Sequence, residues 1–455
     1  MLHAKRLFVV MAILLMLVSA CGAPAPTEAA PTEDPAPTEA SPTEAAPTEE
    51  AHEPVTFQVF YPVAVDAPIA KILNGYIEAF EAEYPYITVE PVFSGGYADV
   101  QTAIQTTIDG GGKPPALAVL LATSLYDLRN ADYIAPLDGY VASMENGDAY
   151  LADFLPAFMS NSYSEDQLWS VPFQRSAVVL YYNVDMFKAA GLEAPTSWES
   201  WATDAQTLTV TNGGVTHWGF HMSSDWPYWV FQPLAIGNGQ NIFVDECHVA
   251  FNDPKVVEAV QFYIDLSEKY KAMPSGVQAS WATDPADFSS GSTAMIAHTT
   301  GSLTGILAQA KFEVGVMPYP GKEEGTYASV PGGGNFYIMK GAPQEQQDAA
   351  WKFIEFVTSP ELTADFSIQT GYIASRASSY ETDAMKAYVA KVPQALQARD
   401  ALQFAQGELA IQDLGEVRGI FHSYIQKAFN NEMSATDAMN AAQAESEAAL
   451  KPFCE

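Results

Sequence analysis

Apolar and polar residues alternate from Val55 to Tyr61 (VTFQVFY), and Ile69, Ile72, Leu73, Tyr76, Ile77 and Phe80 then recur at three- and four-residue spacing up to Tyr84-Pro85. The first pattern predicts a half-buried β-strand, the second an amphipathic α-helix ended by proline. Ile87 to Phe93 predicts a second strand, Gly95-Gly96 a turn and Ala98 to Ile108 a helix. Ala116 to Leu121 is an unbroken apolar run, the mark of a strand buried on both faces. Ala177 to Tyr182 repeats that mark, and Pro254 to Tyr270 and Gln344 to Thr358 carry the spacing of long amphipathic helices. Strands alternating with helices imply an α/β fold, a mostly parallel sheet flanked by helices, and exclude an all-α or all-β chain.

A different apolar run, Leu7 to Val18, follows the basic pair Lys5-Arg6 and leads into Leu17-Val18-Ser19-Ala20-Cys21-Gly22. About 12 residues are too few to cross a bilayer as a helix, and small residues stand at 19 and 20, where a signal peptidase cuts. The segment resembles a bacterial lipoprotein signal. That resemblance implies removal of residues 1–20, a diacylglycerol on the Cys21 thiol, and an extracytoplasmic protein anchored to the cell membrane through lipid. Residues 22–54 hold only small, proline and acidic side chains apart from His52, with Pro-Thr-Glu five times over. No core forms from such a composition, so residues 21–54 read as a disordered tether reaching up to roughly 100 Å at about 3.1 Å per residue.

Some 400 residues follow, more than one hydrophobic core organises, so two lobes are expected. The chain carries a formal charge of −34; without signal and tether, 47 acidic and 19 basic residues leave −28. Such a surface disfavours nucleic acid and anionic headgroups. With Cys21 lipidated, Cys247 and Cys454 remain, to pair in an oxidising compartment or to stay as separate thiols. No Cys/His spacing suggests zinc, and no phosphate loop, dinucleotide fingerprint, nucleophile elbow or zinc-protease helix occurs, so neither metal, cofactor nor catalytic residue is expected. His217, His221, His248 and His298 are scattered and read as surface or core residues.

The pieces Phe93-Ser94-Gly95-Gly96-Tyr97, Val171-Pro172-Phe173, Leu180-Tyr181-Tyr182-Asn183, Phe187-Lys188-Ala189-Ala190-Gly191-Leu192 and Pro195-Thr196-Ser197-Trp198 stand in a recognisable order. So do Phe288-Ser289-Ser290-Gly291, Gly301-Ser302-Leu303, Gly315-Val316-Met317-Pro318-Tyr319, Gly332-Gly333-Gly334 and Thr370-Gly371-Tyr372. The order and spacing resemble the extracellular solute-binding proteins of carbohydrate-type ABC importers, and look most like their glycerol-3-phosphate-binding branch. The resemblance implies a two-lobed periplasmic-binding-protein fold, with residues 55–174 and 333–374 in the N-terminal lobe and 175–332 and 375–455 in the C-terminal lobe. It also implies a monomer that holds one small polar solute in the interlobe cleft, closes by a hinge and is read by the permease subunits.

The same resemblance places Tyr97, Trp229 and Tyr372 in the cleft, with Trp226 as a second candidate. Their rings offer apolar faces and polar tips to a polyol or sugar. Thr299, Thr300 and Gly301 stand where the branch has Ser-Ser-Gly, supplying hydroxyls and amides, and Gly333 lets the backbone approach the solute. Thr123, Ser176, Asp225 and Asn335 are further polar candidates.

Two departures bear on the ligand. Ala122 stands where the glycerophosphate branch has a glutamate, and Ala410 best matches the arginine expected near the C-terminal hinge, with no basic residue from Leu402 to Val417. A buried phosphate needs charge-assisted donors, so a neutral sugar or oligosaccharide is expected, with glycerol phosphate or a glycerophosphodiester as the alternative. Gln174-Arg175-Ser176 replaces an Asn-Ser-Ser run, which leaves Arg175 free to bind phosphate, to bind sugar hydroxyls, or to pair structurally with a carboxylate. A surface glycoside hydrolase and a sugar sensor are remoter readings.

Overall fold

Val55–Tyr61 (β1) turns Phe57, Val59 and Tyr61 inward and pairs in parallel with Ile87–Phe93 (β2) and Leu117–Leu121 (β3). The computed structural model describes residues 52–454 except Ser224, Trp226 and 277–279. The signal segment, Cys21 and nearly all of the Pro-Thr-Glu stretch therefore lie outside the described residues. Ile69–Glu83 (α1) buries the six apolar side chains that its spacing selects, and Tyr97–Asp109 (α2) begins one residue earlier than the pattern predicts.

The strand expected over 177–182 is far longer. Val171–Asn183 (β4) is buried almost throughout and runs through Pro172, which has no N–H to give. Pro172 sits opposite Asn335 at the point where the register with the neighbouring strand shifts, the kind of bulge that accommodates a strand proline. The sheet is completed by His221–Met222 (β5), Met295–Thr299 (β6), Val314–Met317 (β7) and Pro331–Ile338 (β8), in the order β2-β1-β3-β8-β4-β6-β5 with β7 also on β4. Parallel pairing is confined to β2-β1-β3 and β6-β5; β8 and β4 run antiparallel to their neighbours.

Two large apolar cores lie along this sheet. Phe57, Val59, Phe80, Leu117, Phe336 and Phe353 belong to the first, and Leu180, Trp201, Phe220, Phe231, Met295 and Phe421 to the second. β4 joins them: its residues 171–177 pair with β8, and its residues 178–183 with β6 and β7. Pro227–Gly237 (α3) is buried on nearly every side in the second core, and Asp284–Ser290 (α4) precedes β6. Gln344–Val357 (α5) and Pro360–Thr370 (α6) bury Phe353 and Phe366 in the first core.

The chain then stays with the first core longer than expected. Arg376 Nε meets Asp153 Oδ2 at 2.6 Å, the Ala377 N–H donates to Asp153 O at 2.7 Å, and the Leu155 N–H donates to Ser375 O at 2.9 Å. Met385, on Asp383–Val389 (α7), packs on Ala364 of α6. Residues 375–389, given to the second lobe by the sequence reading, thus pack on elements of the first.

Cys247, in the turn between Phe243–Asp245 and His248–Val249, is disulfide-bonded to Cys454 at the end of Ala435–Cys454 (α8). This joins the two thiols whose pairing the sequence left open, across a separation of 207 residues. A cross-link closing so long a loop restricts the unfolded chain, so Cys247→Ser is expected to lower stability by about 2–4 kcal/mol. Urea melts of the variant and of the parent, with and without reductant, check this; equal midpoints under oxidising conditions would contradict it.

Candidate functional site

β4, β8 and the stretch after α6 run side by side where the two cores meet. Arg175 of β4 is in register with Gly333 of β8, and its carbonyl accepts from the Ile373 N–H at 2.9 Å. Beside them opens a cleft lined by Ala64, Val65, Tyr97, Leu121, Ser176, Tyr228, Trp229, Trp281, Thr299, Gly333, Tyr372 and Glu408. The triple glycine is what lets these strands pass so closely. Gly333 has φ +93°, and a Cβ there would lie 1.9 Å from the Gln174 carbonyl oxygen; at Gly332 it would lie 2.3 Å from the Trp229 ring.

Aromatic rings form most of the wall. Tyr97 opens α2 after the Gly95-Gly96 turn, and its hydroxyl donates to Gln174 Oε1 at 3.1 Å. Burial holds the Tyr97 and Tyr372 phenols well above their ordinary range, so both act as neutral hydroxyls. Trp229, on α3, donates from Nε1 to Pro331 O at 2.9 Å, and its ring lies 5.7 Å from that of Trp281. Trp281 is itself seated on His298 (centroids 3.7 Å apart, nearly parallel), and burial pushes that imidazole down to about 4, leaving it neutral at physiological pH.

Polar groups are few. Ser176 and Thr299 line the cleft, and Thr299 Oγ1 accepts from the Gly301 N–H at 3.1 Å. Glu408 is 2 % exposed, accepts from the Tyr228 hydroxyl at 3.2 Å, and has no hydrogen bond to its Oε2 among the described residues. Burial pushes its carboxyl up to about 8, opposed in part by the Arg175 charge and the Tyr228 bond. At neutral pH it is mostly a neutral acid, able to donate as well as accept. No lysine, arginine or histidine is among the described lining residues.

Of the candidates read from the sequence, Tyr97, Ser176, Trp229, Thr299, Gly333 and Tyr372 come together on this wall. The other described candidates are not among its lining residues. Arg175 is fully buried behind it, donating from Nη1 to Asn335 Oδ1 at 3.0 Å with its guanidinium 5.0 Å from the Phe158 ring. Asn335 in turn donates to Ser162 and Ser170. Thr300 Oγ1 is used by the Ala177 N–H, Gly301 lies against the Tyr372 ring, and Thr123 is buried beyond β3. Asp225 is exposed and accepts from the Trp281 N–H at 2.6 Å, supporting a wall residue rather than forming the wall. Trp226 lies outside the described residues.

Trp281, Tyr228 and Glu408 escaped sequence reading. Glu408 sits inside the very stretch searched for a missing arginine, where a search for positive charge passes over an acid. Trp281 is a single ring in the polar run Ala279-Ser280-Trp281-Ala282-Thr283, with no periodicity to mark it.

The sequence profile described as bacterial extracellular solute-binding protein matches residues 75–394. The sn-glycerol-3-phosphate-binding periplasmic protein UgpB of Escherichia coli (strain K12) is 26% identical over 415 residues, covering 86% of this chain and 92% of its own. Among solved structures, UgpB from Mycobacterium tuberculosis in complex with glycerophosphocholine aligns with TM-score 0.78 at 23% identity, over 89% of this chain and 100% of that one. Maltose-bound MalE3 of T. maritima aligns with TM-score 0.74 at 22% identity, over 87% and 100%.

Proposed function

The chain belongs to the bacterial extracellular solute-binding proteins, and on that premise we propose that it captures a neutral sugar or oligosaccharide in the cleft walled by Tyr97, Trp229, Trp281 and Tyr372. It works outside the cytoplasm as the capture component of an ABC importer, handing the solute to membrane permease subunits. The observation that carries the ligand class is the wall itself: its described residues offer five aromatic rings, the aliphatic hydroxyls of Ser176 and Thr299 and one carboxyl, and no cationic side chain. Indole and phenol faces suit the C–H faces of a sugar, and the neutral Glu408 acid suits its hydroxyls. A phosphate would meet no charge-assisted donor on that wall.

A glycerophosphodiester is the second reading, favoured by the glycerophosphate ligands of the UgpB relatives and by the charge of Arg175 behind the wall. Truncating Trp229 separates stacking from mere proximity: Trp229→Ala is expected to weaken sugar binding by about 1–3 kcal/mol in calorimetric titrations. An unchanged dissociation constant would remove Trp229 from the site. The solute leaves chemically intact; release of reducing ends on long incubation with glycans would contradict a receptor role.

We place the lobes at residues 55–174 with 333 onward, and at 175–332 with the C-terminal helices. The packing of residues 375–389 on Asp153 and α6 supports carrying the first lobe to about residue 389. The protein is a monomer held to the membrane by lipid on Cys21, with residues 22–54 as its tether; the mass of the mature N-terminus tests this anchor.

A further inference from the structure

Outside the cleft, one cluster of titratable side chains has no use in solute capture. His221 of β5, Asp284 at the start of α4 and Asp287 one turn later each turn a ligating atom to a common point, all within 4.8 Å of one another. His221 is 7 % and Asp284 0 % exposed. Neither ring nitrogen of His221 and neither carboxylate oxygen of Asp284 has a hydrogen-bond partner among the described residues. His221 Nδ1 and Asp284 Oδ1 stand 3.6 Å apart, close enough to attract and too far to hydrogen-bond. Four buried polar atoms without a hydrogen bond in one spot are costly, and a bound ion satisfies them together.

We propose that His221, Asp284 and Asp287 form a binding site for a divalent first-row transition metal, with Zn²⁺ as the natural occupant. One imidazole nitrogen and two carboxylate oxygens are the donor set that zinc accepts in a four-coordinate site with water as the fourth ligand. Magnesium and calcium prefer all-oxygen sites. The site has a structural consequence for the cleft. Asp284 lies three residues after Trp281, so an ion tying α4 to β5 braces the loop that presents Trp281 to the solute. Asp225 also holds this loop, accepting from the Trp281 backbone N–H. The proposal does not depend on which solute is bound.

The test is calorimetric titration of the chelator-stripped full-length chain with ZnCl₂, beside MgCl₂ and CaCl₂, repeated with His221→Gln and Asp287→Asn. Asp287 is only half-buried, so its variant reports on binding even if the His221 change disturbs folding. Expected is one saturable zinc site per chain, no comparable event with magnesium or calcium, and zinc affinity about tenfold or more weaker in each variant. Absence of a saturable zinc event in the parent overturns the proposal, leaving His221 and Asp284 as a bare ion pair. So does zinc binding of unchanged affinity in either folded variant, which would place the ion on the general acidic surface.

Discussion

Arg175→Ala is expected to lower the unfolding free energy by about 3–5 kcal/mol, through the cavity and the unpaired acceptor that it leaves. The guanidinium is fully buried, and its removal strips Asn335 Oδ1 of its donor and the Phe158 ring of its cation. It also withdraws the first charge that opposes the desolvation of Glu408. Arg175 sits in register with Gly333 and takes the Ile373 N–H on its carbonyl, so the damage falls where three passes of the chain lie together. Arg175→Met, which keeps volume but not charge, should recover part of the loss through packing alone. Urea denaturation of both variants gives the comparison. A loss below about 1 kcal/mol in the alanine variant would mean that the guanidinium is solvated in a way its burial does not suggest.

The second large effect concerns pH. Glu408 has a folded-state value of about 8 against an ordinary value of 4.5, so the native state holds its proton more tightly than the unfolded chain does. The stability attached to this group is therefore fully present below about pH 4.5 and is lost as pH rises through about 8. Glu408→Gln cannot ionise. The variant should match the parent's pH dependence up to about pH 4.5 and then gain on it, by about 5 kcal/mol once pH exceeds 8. Thermal melts of both proteins from pH 4 to 9 measure the gap. A gap that stays constant across that range would show that Glu408 titrates as an ordinary carboxylate, and the neutral donor in the cleft would go with it.

Much of the fold could be read from periodicity because local patterns fix local structure: the six buried residues of α1 and the apolar run of β3 are set by near neighbours. The length of β4 could not, since Pro172 argues against a strand and only its partner Asn335 creates the bulge that admits it. The same division holds at the site. Tyr97, Trp229, Gly333 and Tyr372 sit in short motifs and were found; Trp281 and Glu408 reach the cleft only through tertiary packing. Arg175 shows the opposite failure. Its place beside the glycine strand was legible, yet which way a side chain points from a strand buried on both faces is decided by Asn335 and Phe158, far away in the chain. His221 and Asp284 meet across a distance in sequence that no ligand-spacing rule covers.

The most direct test of neutral-solute capture is the thermal shift of the full-length chain with neutral mono- and oligosaccharides, beside glycerol 3-phosphate and glycerophosphodiesters. A solute bound only by the native state raises the melting temperature in proportion to RT ln(1 + [L]/Kd). A wall of aromatic rings with one protonated acid predicts a shift with one or more neutral sugars and none with the phosphate compounds. A shift with the phosphate compounds alone would contradict it, and would mean that the charge of Arg175 reaches the solute through the wall.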